Sequence, residues 1–472
     1  MVSPVDAAIN SVNRAIASFH PGAIPRLARV HYRRELVAWT LLPLMLGAIE
    51  GGVVSVLAKN AFEGAVAPRA LNLAVAVLSG APAFANIASF LWAALSHGRH
   101  KIRFLVGLQV ATAVLVALVA LAPLNGAGLV MLTAGVVGAR LCWSGVVTVR
   151  STVWRANYRR SERATVAGKL ATVQALTMTA VGLVIGAAMN YNEDAFRLLY
   201  PLAALGGLLG AFAYRRLRVR GHRALVRAER AAVNPLGSWR PVLGDRRFRR
   251  FMGCQFVFGI GNMMITAPLI IMLREEFAMG YLGGMLICSV IPLLLMAVTI
   301  PAWSRLMDRV HIVHFRAIHS WVAVAVAATM LLGALLREPS LIWVAAALRG
   351  VTFGGGMLAW NLGHHDFAPL ADASRYMGVH VTLTGARGLL APLLAVGLYE
   401  LLNGLSDGAG AWVFGVCVAL TATGALGFGF MHRAMTARAV AAADGAGDRA
   451  RTAALGPDPT GPTARHTPRK PV

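Results

Sequence analysis

The sequence predicts an all-α polytopic membrane protein, in which twelve transmembrane helices form two pseudo-symmetric six-helix bundles. Hydrophobic residues make up 57% of the 472 residues and the mean hydropathy is +0.62, more than a soluble core requires. The apolar residues are gathered into twelve runs, and each is long enough as a helix to cross about 30 Å of hydrocarbon. One long basic segment, residues 215–250, separates the first six runs from the last six.

The N-terminal bundle is predicted over residues 36–214. It follows a cytoplasmic segment, residues 1–35, in which apolar residues recur at helical spacing: Val5, Ile9, Val12, Ile16 and Phe19. This spacing indicates a short amphipathic helix on the membrane surface, with a disordered tail as the alternative. The six predicted spans of this bundle are 36–58, 71–95, 102–122, 127–149, 165–189 and 196–214.

The basic linker, residues 215–250, cannot lie in hydrocarbon. It holds twelve arginines and only two acids, Glu229 and Asp245, so we expect a solvated loop. The C-terminal bundle, residues 251–432, follows. Its six predicted spans are 251–273, 280–300, 314–336, 340–363, 376–402 and 411–432. The tail, residues 433–472, is rich in Ala, Gly, Pro and Arg and lacks periodicity, which predicts disorder.

The positions of the basic residues predict the orientation. When basic residues near a span end are counted with the adjacent loop, 37 of the 45 Lys and Arg lie on one side and five on the other, and three lie deep within spans: Arg140, Arg349 and Arg387. Because positive loops remain in the cytoplasm, both termini and the linker should be cytoplasmic, in a multi-pass protein of the cytoplasmic (inner) membrane. The net charge of +25 is thereby explained by topology, and no nucleic-acid-binding module accompanies it. The four cysteines all fall in apolar runs, which disfavours a disulfide framework.

The two predicted bundles repeat a short motif. RLCWSG, residues 140–145 in span 4, has the same Arg and Gly spacing as RGVTFG, residues 349–354 in span 10. The turns 94–101 and 305–314 also match in position. With these features the chain resembles the major facilitator superfamily over residues 36–432, and Asp308-Arg309 resembles the Asp-Arg of that family's cytoplasmic turn. Leu95 and Ser96 stand at the corresponding place in the first half, which departs from the family pattern.

This resemblance implies a secondary active transporter that works by alternating access in the lipid bilayer, as a monomer, on a small-molecule substrate. A multidrug or toxic-compound efflux permease is the alternative, and a transport-dead sensor or scaffold is a further one. An enzyme is not expected, because no nucleophile with a base, metal-binding HExxH or phosphate-cradling loop occurs in the sequence. No cofactor is predicted.

Charged residues inside predicted spans mark candidate functional sites, because an unpaired charge in hydrocarbon is costly. Glu50 is the one deep acid that the predicted spans contain, and Arg140 is expected to reach it from span 4. We interpret this pair as a proton-coupling device in which Glu50 is alternately protonated and paired with Arg140. A static ion pair that joins spans 1 and 4 is the alternative, and the sequence leaves Na⁺ open as the coupling ion.

The second half offers candidate substrate contacts. The position that aligns with Glu50 is Asn262, and Arg349 and Arg387 lie in spans 10 and 11 without a carboxylate in their own half. These arginines favour an anionic substrate, although Arg349 could instead only order helix ends. Trp360 and Asn361, near the end of span 10, are predicted to stack on the substrate and to hydrogen-bond it.

The end of span 10 carries an unusual polar cluster that includes His364, His365 and Asp366. We interpret it as part of a cytoplasmic gate, completed by Asp308, Arg309 and Arg375. A metal site with His311 or His314 is the weaker alternative, because adjacent histidines at a helix end have no fixed metal-ligand spacing. No metal is therefore predicted.

Overall fold

The computed structural model describes residues 17–231, 244–368 and 373–454, together with residues 10, 13 and 242. Within these residues every regular element is helical, and twelve helices are long and apolar enough to cross a membrane. The N-terminal half contains spans 1 to 6: Ala28–Ala61, Pro68–Ser96, Lys101–Leu121, Gly126–Asn157, Thr165–Tyr191 and Glu193–Arg215. The C-terminal half contains spans 7 to 12: Arg246–Glu275, Tyr281–Met307, Ile312–Leu335, Pro339–Asn361, Tyr376–Leu405 and Ala409–Arg438. The predicted fold class is confirmed.

The same helix pairs pack in both halves. Span 1 packs on spans 5 and 6, span 4 on spans 2 and 3, and span 3 on span 6. Each of these pairs recurs in the C-terminal half with the span number raised by six. The halves meet mainly where span 2 packs on span 11 and span 5 on span 8. Because an even number of spans separates them, the start of span 1, the end of span 6, the start of span 7 and the end of span 12 lie at one end of the bundle. We call this the terminal end and the other the opposite end.

The first span of each half is broken. Span 1 consists of Arg26–Ala48 and Gly51–Ala61, and span 7 consists of Arg246–Met264 and Thr266–Glu275. Glu50 explains the break in span 1, because its side chain caps the second helix and two glycines of poor helix propensity follow it. Span 8 is irregular at its centre, where a π turn, Leu286–Val290, joins Tyr281–Met285 to Ile291–Met307. Such π turns in helices are frequent at functional sites.

Two segments that were predicted to lack regular structure contain helix. The last helix, Val413–Ala454, continues past the predicted end at residue 432. Alanines are frequent in this extension and have the highest helix propensity, which explains the difference. Residues 455–472 lie outside the described residues, as does most of the predicted N-terminal amphipathic helix.

The linker also contains a helix, His222–Ala231, that is attached to the turn between spans 2 and 3. Oε2 of Glu229 accepts hydrogen bonds from Nζ of Lys101 at 2.7 Å and from the backbone N–H of Gly98 at 2.8 Å. The rings of His100 and His222 lie 4.2 Å apart. Burial lowers the pKa of His100, and the charges of His222 and Arg103 lower it further. The partly buried carboxylate of Glu229 therefore joins the linker to the N-terminal half.

At the opposite end, polar contacts join the two halves. Lys59 is 2% exposed, and its Nζ lies 2.5 Å from Oε1 of Glu275 and 2.8 Å from Oδ1 of Asn72. Glu63 and Arg274 form a second, more exposed ion pair at 2.5 Å. Further contacts join Asn72 to Glu400 at 3.1 Å and Asn190 to the backbone N–H of Leu282 at 3.0 Å. Spans 1, 2 and 5 are thereby connected to spans 7, 8 and 11.

Candidate functional site

Glu50 lies at the break in span 1 and contacts both halves of the protein. Its Oε2 accepts hydrogen bonds from the backbone N–H groups of Gly52 at 2.8 Å and Val53 at 3.1 Å. The hydroxyl of Ser289, in the π turn of span 8, donates a hydrogen bond to the same oxygen. The sequence alone could not predict this contact, because Ser289 and Glu50 are far apart in the chain. A titratable side chain thus connects a helix break in one half to an irregular turn in the other.

Arg140 does not form the predicted ion pair with Glu50. Its guanidinium donates to the carbonyl of Ile49, through Nε at 3.1 Å and Nη2 at 2.6 Å, and to the carbonyl of Leu46 at 3.4 Å. The reason is the helix break, which leaves the last carbonyls of Arg26–Ala48 without partners in the helix. Arg140 satisfies these carbonyls, while Glu50 satisfies the first N–H groups of the next helix. The two charges remain near enough to interact through space.

Arg349 has the corresponding position in the C-terminal half. Its Nη2 donates to Oγ1 of Thr266 at 2.5 Å, and Thr266 begins the second helix of span 7. The guanidinium also lies over the ring of Phe353, 5.0 Å from its centre. In each half, therefore, the arginine of the repeated motif reaches the break in the first span. Glu50 is within range of the charges of both arginines.

We expect Arg140→Ala to lower the apparent melting temperature of the purified protein by several degrees. The substitution leaves the buried carbonyl of Ile49 without its donor, and an unsatisfied buried polar group costs about 1–3 kcal/mol. Arg155→Ala, an exposed arginine on the same helix, is the control and should change the melting temperature little. Equal melting curves for the two variants would contradict this role of Arg140.

Arg316 is a buried cation that the sequence analysis missed. It lies near the start of the predicted span 314–336 and was counted with the basic residues of the adjacent loop, but the structure places it one turn inside span 9, where it is 3% exposed. Its Nη1 lies 3.3 Å from Nδ1 of His319, whose Nε2 lies 2.8 Å from the carbonyl of Thr352. The sequence does contain a signal for a buried Arg316: a histidine follows three residues later, on the same face of the helix. Hydropathy alone does not detect it, because span ends tolerate charge.

Glu35 is a buried acid near the start of span 1 that the sequence analysis missed. Glu35 is 1% exposed, and its Oε2 accepts a hydrogen bond from Nε1 of Trp154 at 2.8 Å. The guanidinium of Arg150 lies between the rings of Trp39 and Trp154, at 4.0 and 4.4 Å. Span 1 begins at Ala28, earlier than predicted, and this places Glu35 inside the packed helices.

The remaining predicted substrate residues are spread along spans 7, 10 and 11. Asn262 is half-buried just before the break in span 7. Trp360 is half-buried, with its ring centre 6.0 Å from that of His380. Asn361 is exposed, and its Nδ2 donates to the carbonyl of Met357 in its own helix at 2.8 Å. Arg387 is 2% exposed and donates to the carbonyl of Gln255. Trp360 therefore lies beside His380 of span 11, Arg387 contacts span 7, and the exposed Asn361 bonds its own helix.

The predicted gate residues lie at the terminal end. Asp308 and Arg309 are exposed in the turn between spans 8 and 9. Oδ2 of Asp366 accepts a hydrogen bond from the backbone N–H of Ile312 at 2.7 Å, so Asp366 caps the start of span 9. His364 is buried at 7% exposure, and the side chains of His365 and Arg375 lie outside the described residues. Within the described part of the chain, no three His, Cys, Asp or Glu side chains could share a metal ion.

Solved structures of several transporters share this fold. The D-xylose–proton symporter superposes with a TM-score of 0.63 at 12% identity, over 85% of this chain and 96% of that one. An inward-facing, unoccupied bacterial homologue of the human lysosomal transporter Spinster gives 0.57 at 15% identity, over 85% and 95%. The human organic anion transporter MFSD10 gives 0.57 at 14% identity, over 86% and 100%. At these identities the likeness concerns the fold alone.

Sequence comparison leads to the same family. No curated protein sequence matches this chain significantly. The sequence profile of the Major Facilitator Superfamily, however, matches residues 37–392, which is most of the chain and reaches from span 1 into span 11. Together with the twelve spans and the repeated packing of the two halves, this match shows that the chain is a multi-pass membrane protein that belongs to the Major Facilitator Superfamily of transporters.

Proposed function

We propose that this protein is a proton-coupled secondary active transporter, which moves a small organic solute with an anionic group across the cytoplasmic membrane by alternating access. The observation that carries the proposal is the position of Glu50. Its carboxylate lies at the break in span 1, and Ser289 of the other half donates a hydrogen bond to it. A carboxylate between the two moving halves can couple proton binding to their movement.

The coupling follows from a change of partners. When the halves separate at the opposite end, the hydroxyl of Ser289 leaves Glu50, while the N–H groups of Gly52 and Val53 move with it. The two conformations then offer the carboxylate different hydrogen bonds and different solvent, so its affinity for a proton differs between them. By linkage, protonation must then shift the balance between the conformations. This coupling does not require Arg140 as a direct partner of Glu50, so it is compatible with the hydrogen bonds of Arg140 to backbone carbonyls.

The contacts at the opposite end support a conformation that is closed there. Lys59, Glu63, Arg274 and Glu275 form ion pairs between the halves, and Asn72 extends them to span 11. In this conformation the solute would approach from the terminal end. Breaking these pairs is then part of the transition that exposes the site to the other side of the membrane.

The buried charges favour an anionic solute. Four arginines within the spans, Arg140, Arg316, Arg349 and Arg387, are each less than a tenth exposed. Glu50 is the acid that lies near two of them. A cationic drug would be repelled by this excess of positive charge, whereas an anion would reduce it. Of the residues predicted to contact the solute, Arg387 and Trp360 retain that role in this proposal. Arg349 instead stabilises the break in span 7.

We expect a topology reporter to place the terminal end in the cytoplasm. The terminal end carries the arginine-rich linker, and loops with many Lys and Arg stay in the cytoplasm. Alkaline phosphatase fused after Arg250 or at the C-terminus should be inactive, and a fusion near Asp407 should be active. Green fluorescent protein fusions at the same sites should give the reciprocal result. An active phosphatase after Arg250 would reverse the orientation.

Transport can be tested with purified protein in liposomes. A thermal-shift screen of metabolites and drugs first identifies a solute that binds the folded protein, because such binding raises its apparent stability. A trapped pH-sensitive dye should then report proton movement when that solute is added without Na⁺. Solute movement that requires Na⁺ and moves no protons would contradict proton coupling. Binding and export of cationic drugs would instead indicate a multidrug efflux permease.

A further inference from the structure

Arg316 and Arg387 converge on one face of span 7, although they come from spans 9 and 11. Nη1 of Arg387 donates to the backbone carbonyl of Gln255, and the guanidinium of Arg316 lies 5.7 Å from the ring centre of Phe258. Gln255 and Phe258 are one helical turn apart. The two guanidiniums are within range of each other's charge, so they repel each other. Such an arrangement is unfavourable unless something of opposite charge compensates it.

The protein does not supply that charge in the part of the chain described here. Arg387 also donates from Nη2 to Oγ1 of Thr384 at 2.8 Å, and Arg316 lies beside His319, so both have only neutral hydrogen-bonding partners. The ion pairs of the described residues involve Lys59, Lys101, Arg197 and Arg274 instead. An arginine side chain does not lose its proton in a protein, so deprotonation cannot remove either positive charge. Two buried cations therefore remain without a carboxylate.

Several polar atoms of this group also lack hydrogen-bond partners. They are Nε of Arg316, Nε of Arg387, Nε2 of His380 and Oε1 of Gln255. Each of these four side chains is more than nine-tenths buried. Buried polar groups in native proteins are normally satisfied, and each exception calls for an explanation. Three of the four atoms can donate a hydrogen bond, which is the requirement for binding an anion.

Small residues make room for this group. A Cβ at Gly259 would lie 1.9 Å from Nη1 of Arg387, and a Cβ at Gly355 would lie 2.3 Å from the ring of His319. Arg387 can therefore lie against span 7 only because residue 259 is a glycine. At the edge of the group, the half-buried ring of Trp360 lies 6.0 Å from His380. An apolar surface next to the cations would suit the organic part of a solute.

We propose that Arg316, Arg387 and His380 form an anion-binding site in the C-terminal half, which holds the carboxylate or phosphate group of the transported solute. The proposal rests on the proposed transport function and narrows its substrate to a compact organic oxyanion. Planar guanidiniums bind both carboxylate and phosphate with two parallel hydrogen bonds. The anion removes the repulsion between Arg316 and Arg387 and gives their free N–H groups acceptors.

Anion binding to the purified full-length protein tests this site without requiring transport. Melting curves are recorded with increasing succinate or inorganic phosphate, with chloride at matched ionic strength as the reference. We expect one of the two oxyanions to raise the melting temperature saturably, and the one that acts identifies the group as carboxylate or phosphate. Arg197→Gln, which changes an exposed arginine paired with Asp194, should respond like the unsubstituted protein. No rise with either oxyanion would overturn the proposal.

Three variants locate the site. Arg316→Gln should abolish the response, and Arg387→Lys should weaken apparent binding about tenfold or more, because lysine keeps the charge but loses the planar fork. Gly259→Ala retains every charge and displaces Arg387, so it should weaken binding as well. If Arg316→Gln does not fold, Arg387→Lys and Gly259→Ala remain as tests. An unchanged response in both of them would refute the site.

The outcomes separate this inference from the transport proposal. Proton-coupled solute movement without oxyanion binding at Arg316 and Arg387 would refute the anion site and leave the transport function. Oxyanion binding that depends on both arginines, in a protein that moves no protons with its solute, would support the site and refute proton coupling.

Discussion

Glu50→Gln should abolish proton-driven accumulation of the solute, while solute exchange across the membrane continues. Glutamine cannot gain or lose a proton, but its side-chain oxygen can still accept from the N–H groups of Gly52 and Val53, so the break in span 1 should keep its shape. A pH gradient of about one unit supports about a tenfold accumulation in a one-to-one coupled system, since it corresponds to about 1.4 kcal/mol. In the variant the ratio should fall to one.

The measurement uses liposomes with an imposed pH gradient and the solute found by thermal shift. Exchange of labelled for unlabelled solute, without a gradient, shows that the variant still binds and changes conformation. Ser289→Ala is the companion variant, because it removes the hydroxyl contact but leaves the carboxylate. It should lower the accumulation ratio without abolishing it, because the solvent around Glu50 still differs between the two conformations. Full accumulation by Glu50→Gln would exclude Glu50 as the proton carrier, and the buried acid Glu35 would then be the next residue to substitute.

Lys59→Ala should shift the protein toward a conformation that is open at the opposite end. Lys59 is almost fully buried and binds both Glu275 and Asn72, so its removal leaves two polar partners of the closed state unsatisfied. Because Glu275 is partly exposed, we expect a moderate effect. A shift of about tenfold in the ratio of conformations, or about 1.4 kcal/mol, would be readily measurable.

Pulsed electron–electron resonance measures this shift directly. Spin labels at Tyr191 and Leu405, both highly exposed and at the opposite end, report the distance between spans 5 and 11. The four native cysteines, Cys142, Cys254, Cys288 and Cys417, are first replaced by alanine. Arg197→Ala is the control, because its ion pair with Asp194 lies within the N-terminal half. The Lys59→Ala protein should gain a longer distance that the control lacks. Identical distance distributions would contradict a closing role for Lys59.

The sequence by itself determined the twelve spans and their division into two halves. A membrane requires long apolar runs, and such runs are visible without knowledge of any neighbour. The repeated motif at Arg140 and Arg349 similarly identified corresponding helices, and the structure places both arginines at the breaks of spans 1 and 7. The break at Glu50 also has a local cause, a capping carboxylate followed by two glycines.

Only the tertiary structure decided which groups each buried charge contacts. Arg140 binds carbonyls and not Glu50, because a broken helix offers unsatisfied carbonyls that a sequence pattern does not display. Glu35 and Arg316 were missed because hydropathy averages over a run, whereas burial near a span end depends on the neighbouring helices. Ser289 meets Glu50 through the packing of span 8 against span 1, across the two halves. Span composition is a property of each segment alone, but these contacts depend on how distant helices pack, and packing is a property of the whole chain.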